Sequence, residues 1–389
     1  MGTIGNTAQS FLPETEQQLP AFLQNFSPEC FVWEPSASVA ATFALLTRQF
    51  WQYNAEQVLQ SAAAGLGVTL HKLQRDVEHI DLSRSLSPRL SARLSSLMQS
   101  VEHRDGYAVY DALQTWSCDP PESWYSDQLL IESIAVHAWE NDVLREVRST
   151  QIPGVSGLEF FPLLERDITG LQAAVRESLE RVAVADPDMH AEIESHVSLV
   201  KLFTGNGIEG LSTPRAFGAI WLKAPNMQQA QHWFLEHLVH ECSHLHLNAM
   251  LIADPLLTNP QEVNRSPLRP DPRPMFQILH GTFVLARNCR VHARLSQQYP
   301  ELRLEPARDK FAEQFRSGMQ VLNDQGTYMF PSYAGQWIPD TPARRAVVIE
   351  RLRGWSIFSA SNPAPGIAQA SRTFHRPGQP TSIFVFGDD

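Results

Sequence analysis

Residues 240 to 244 read His-Glu-Cys-Ser-His, within a nineteen-residue stretch, HWFLEHLVHECSHLHLNAM, that holds five of the chain's fourteen histidines. Positions four apart on a helix share a face one turn apart, so His240 and His244 can aim their imidazoles at one ion with Glu241 beside them. This geometry serves zinc hydrolases, where the glutamate acts on the metal-bound water. The segment is otherwise apolar through Phe234, Leu235, Leu238, Val239, Leu245 and Leu247. Two histidines on such a face need a compensating partner. His237, three before His240 and seven before His244, reaches the same face as a supporting or substrate-contacting group. His232 and His246 point elsewhere, and Cys242 reads as a small buried residue off the metal face.

Two imidazoles alone hold a catalytic ion too weakly to fix its geometry, so a third donor is required. The continuation H-x-x-G-x-x-H is absent, because LHLNAMLIAD follows His244. Glu262 is an acidic candidate in a Pro-rich loop. His280, in QILHGTFVLARNC, ranks ahead of it, since the adjacent Gly281 permits close approach of another element.

The elements that must position these groups follow from periodicity. Apolar side chains three and four apart predict helices over 36–64, 88–103, 129–147, 168–184 and 187–204, with Ser36 as a cap for the first. A Gly-rich loop then leads into a strand over 216–224, next to the helix of 227–253 that carries the histidines, with Asn226 as its N-cap. Helices are also expected over 275–298, 305–323 and 341–354. From 362 a Pro/Gly/Ser-rich tail holds one strand candidate, TSIFVF. The expected fold is mainly α with a small strand element beside the histidine helix. It divides into a helical region 1–204, a metal-binding helical region 205–361 and a tail 362–389.

Composition bounds the partners. The chain has 389 residues, 43% hydrophobic and 19% charged, which marks an ordinary globular protein rather than a disordered one. A formal charge of -11 leaves no overall basic footprint for nucleic acid or an anionic membrane. Cys30, Cys118, Cys242 and Cys289 are too scattered for a disulfide framework or a cysteine zinc site. With no apolar run near twenty residues and no secretory n- and h-region, a cytoplasmic protein is expected. MGTIGN is close to a myristoylation pattern but has Asn6 where Ser or Thr is favoured.

HECSH, followed by RPDPRPMFQILHGTF, resembles the HExxH-motif proteins of peptide natural-product clusters, which are 2-oxoglutarate-dependent peptide β-hydroxylases. In that family a DPRP segment leads into L-[HQ]-G-x-[YF] on the next helix, matched here by Leu279 to Phe283. The likeness covers about residues 215 to 295. It implies iron(II), 2-oxoglutarate and dioxygen as reaction partners, and a ribosomally made precursor peptide as substrate. By the same resemblance His240 and His244 are the motif histidines, Glu241 its glutamate and His280 the variable position before glycine.

Iron in oxygenases needs three protein ligands on one face and open positions for cosubstrate and dioxygen, which neutral imidazoles suit. The distal carboxylate of 2-oxoglutarate calls for an arginine fork. Arg273, held in a stiff Pro-Arg-Pro context, is the first candidate, ahead of Arg269 and Arg287. Glu241 would be a general base in a peptidase, and a ligand or anchor in an oxygenase. A zinc-dependent HExxH peptidase and a non-catalytic precursor-binding protein are the alternatives.

Overall fold

The computed structural model describes residues 30, 33–66, 69–103, 105–134, 138–149, 157–253, 256–257, 259–267 and 271–325. The helix expected over 341–354, the tail and Arg269 lie outside them. Ten α-helices and six short strands are described, so the fold is mainly α. They form two compact units. Of the described residues, one takes Ala37–Glu180 and His190–Ala249; the other takes Arg181–Met189, those before Ala37 and those from Met250 onward.

The first unit opens with α1 (Ala37–Leu66), α2 (His71–Glu78), α3 (Pro88–Glu102) and α4 (Gly106–Ser117). Local chemistry starts two of these helices. Ser87 accepts from the Arg89 amide ahead of Pro88, and Asp105 accepts from the amides of Tyr107 and Ala108. Next come β1 (Leu130–Ser133), α5 (Ala138–Ser149), α6 (Glu165–Ala185), α7 (Pro187–His196), β2 (Leu199–Phe203), β3 (Gly210–Ser212), β4 (Ala219–Lys223) and α8 (Ala230–Ala253), whose ends reach the bounds given above.

Four strands form one sheet in the order β1-β2-β4-β3. β1 and β4 both run parallel to β2, pairing Leu130 with Leu199 and Leu199 with Ala219, while β3 runs antiparallel to β4 with Ser212 opposite Ile220. Every residue of β2 is buried. Leu199, Phe203, Ala219 and Trp221 enter one core with Phe160, Trp139 and Val143.

Two expectations need correction. Residues 129–147 are not one helix, since Leu130–Ser133 is a strand and the helix begins at Ala138. Likewise 187–204 divides into α7 and β2. A short apolar run satisfies either period, and the parallel ladder between β1 and β2 supplies backbone partners that a helix would have to find within itself. The strand beside the histidine helix is present, trimmed to Ala219–Lys223 behind a 3-10 turn at Pro214–Ala216. Asn226 caps a turn rather than the helix itself, its side chain accepting from the Gln228 amide at 3.1 Å, and α8 begins at Ala230.

In the second unit, β5 (Val263–Asn264) and β6 (Arg273–Pro274) make a two-stranded antiparallel pair ahead of α9 (Met275–Gln298). A short link joins α9 to α10 (Glu305–Gln325), and the two helices fold back on each other, with Phe311 edge-on to His292 and Gly318 beside Thr282. Asp186, fully buried, accepts from Arg290 and Arg294.

Candidate metal centre

α8 is apolar on one side and carries rings along the other. Phe234, Leu235, Leu238, Val239, Cys242 and Leu245 have no exposed surface. Trp233, His237, His240 and His244 recur at helical spacing and are each half-buried. Trp233 stacks on His237 at 3.8 Å between centroids, His237 lies 6.3 Å from His240, and His240 lies 5.0 Å from His244 with ring planes 69° apart. The Trp233 indole donates to the Lys223 carbonyl at the end of β4 at 3.0 Å, which fixes the start of the row.

His237 Nδ1 sits 2.9 Å from the Trp233 carbonyl oxygen, so that nitrogen carries the proton and Nε2 is left as the acceptor. Burial holds His237 below its ordinary pKa, in the neutral form. His246 belongs to a different environment. It is buried, 2.9 Å from His196 Nε2 and 3.6 Å from Glu192, with Phe43 edge-on at 5.3 Å. That agrees with its reading as a core histidine, and His232 is exposed.

Glu241 is only 4% exposed. The Ser212 hydroxyl on β3 donates to its Oε2 at 2.7 Å, and a Cβ placed on Gly210 would lie 2.5 Å from its Oε1. A side chain at 210 would therefore have to displace the carboxyl from this position. Burial raises Glu241 to about 7, and the Ser212 hydroxyl opposes the shift. In metal-free protein the folded state holds this proton more tightly than the unfolded chain. Its stabilising contribution is present below 4.5 and is lost as pH rises through about 7. Urea unfolding should therefore show wild type losing roughly 3 kcal/mol more between those limits than Glu241→Gln. Equal losses would mean that the buried carboxyl is ionised throughout.

The other candidates lie on the second unit. His280, on α9, has its ring 6.2 Å from that of Phe276, and burial lowers it to about 4, leaving it neutral at pH 7. Glu262 is exposed and accepts from the side chains of Asn259 and Asn264, which lower its pKa. Arg273 forms an ion pair with Asp271 at 2.7 Å and donates to Gln277 at 3.2 Å. Arg287 is buried, donates to the Trp33 carbonyl at 2.8 Å and lies over the Phe283 ring.

No family model matches the chain, and no curated protein matches it. The site is therefore judged by its own chemistry. Among the described residues no group of three or more His, Cys, Asp or Glu side chains is placed to hold a metal ion. His240 and His244 offer imidazole donors of the type found in a divalent-metal shell. Likewise, no described helix is long and apolar enough to cross a membrane.

Periodicity alone missed Ser212 and Gly210 as the neighbours of the Glu241 carboxyl. The only sequence signal for them was the Gly-rich loop preceding the strand.

Proposed function

We propose that the chain holds a divalent metal through His240 and His244 and is an iron(II)/2-oxoglutarate-dependent hydroxylase. Its substrate would be a side-chain β-carbon of a ribosomally made precursor peptide. The observation that carries the metal reading is the pair of half-buried imidazoles, 5.0 Å apart, on a helix whose opposite side is sealed in core. Imidazole donors suit iron, and a small protein ligand set leaves positions for cosubstrate and dioxygen. Iron, when bound, supplies the activation of dioxygen. The reaction class and the peptide substrate rest on the HECSH and DPRP resemblance.

In this reading Glu241 is a positioning residue, tied to β3 through Ser212, and the Trp233–His237 stack extends the surface beyond the ligands. His280 stays the sequence-derived candidate for the third donor. Arg273 stays first for the distal carboxylate, since Arg287 is already committed to the Trp33 carbonyl; a cosubstrate would have to displace Asp271 from it.

One observation favours the zinc peptidase instead. Glu241 sits near neutrality, where a general base for a metal-bound water works best. The two readings separate in one experiment with a candidate peptide. The hydroxylase adds one oxygen mass only when iron, 2-oxoglutarate and dioxygen are all supplied, and releases succinate. Peptide cleavage under anaerobic conditions with zinc would overturn that reading in favour of the peptidase.

A further inference from the structure

The first unit also contains a small surface cavity, open on one side. One wall is α1, where Ala44, Thr47, Arg48 and Trp51 fall at i, i+3, i+4 and i+7 and so share a face. The facing wall includes His196, at the end of α7, then Ser198 and Gly218. His196 in turn bonds His246 on α8 at 2.9 Å, on a side of that helix remote from the row of rings.

Three buried polar atoms on these walls make no hydrogen bond: Arg48 Nε, Trp51 Nε1 and Ser198 Oγ. Trp51 and Ser198 are each only 9% exposed. Among the described residues no carboxylate pairs with Arg48, and burial alone lowers its pKa from the ordinary arginine value. Folded proteins rarely leave buried donors unsatisfied, and here a cation, an indole N–H and a hydroxyl share one cavity. Gly218, at φ +96°, helps keep that space, since a Cβ there would lie 3.1 Å from Ser198 Oγ.

The surroundings restrict the ligand further. The first turn of α3, through Ser87 and Ser91, brings the positive end of a helix to the cavity, while the end of α7 brings a negative one. Glu194 also lines the rim, its side chain 68% exposed and 3.5 Å from His190. Arg48 is the one arginine or lysine among the described residues on the walls, so a single negative charge is balanced and a second is not. Leu86, Leu90, Val197 and Phe217 supply apolar wall.

We propose that this cavity binds a small organic monocarboxylate, whose oxygens accept from Arg48, Trp51 and Ser198 while its short apolar body lies against the leucine and phenylalanine side chains. This does not depend on the metal reading.

Sodium propionate titrated at constant ionic strength tests the proposal, read at the Trp51 indole N–H by NMR, with Trp51→Phe assigning the peak. A saturable shift is expected. Arg48→Gln should weaken propionate about tenfold or more, as expected for losing a charge-assisted hydrogen bond, and Ser198→Ala several-fold. Neither substitution breaks a bond within the protein, and the remaining indole peaks report the fold. At about pH 8, where most inorganic phosphate carries a second charge, it should bind about tenfold more weakly than propionate. The proposal is overturned by a shift that does not saturate, by wild-type affinity in both variants, or by phosphate binding as tightly as propionate.

Discussion

If the proposed metal centre is correct, His244→Ala should fail to retain divalent metal while keeping its helical fold. One imidazole of the 5.0 Å pair is removed, and the single histidine left at that position cannot fix an ion. The fold should survive because α8 is held from its other side by Leu238, Val239, Cys242, Leu245 and Leu247, none of which touches solvent appreciably. Elemental analysis after reconstitution and desalting should show metal near background in His244→Ala and in His240→Ala. The exposed His232→Ala should match wild type. Product formation should fall by well over the roughly 10- to 100-fold that loss of an outer-shell partner costs. Full occupancy in His244→Ala would reject the metal reading outright. If His280→Ala alone retains metal, the third donor lies elsewhere.

The second large effect is on stability. Lys201, in the middle of β2, has no exposed surface, and its Nζ lies 2.8 Å from Glu132 and 3.5 Å from Glu140, which is also fully buried. Removing the ammonium takes from the buried Glu140 its ion pair with Lys201, and breaking a buried pair from one side costs about 3 to 5 kcal/mol. Lys201→Met should lower the denaturant midpoint accordingly. The double replacement Lys201→Met with Glu140→Gln should recover most of the loss, because no charge is then stranded. A loss below about 1 kcal/mol in the single variant would show that Glu140 sheds its charge at little cost.

The histidine row was legible in the sequence because it depends only on helical period. Once 227–253 reads as a helix, His240 and His244 must share a face, and α8 and α9 follow their apolar spacing almost to the residue. Most other long helices follow for the same reason. α2 and α4 were not anticipated, being short segments of 8 and 12 residues.

Partners distant in sequence decided the rest. Leu130 and Leu199 become strand residues by pairing with each other, and nothing local to either run distinguishes that outcome from a helix. Glu241 is fixed in sequence as the neighbour of His240, yet its proton is governed by burial, opposed by the Ser212 hydroxyl on another element, and both are properties of packing. Arg48 and Trp51 read as ordinary positions on a long helix. Only the folded chain brings them to one cavity with Ser198, where donors that water would satisfy in an extended chain are left without an acceptor.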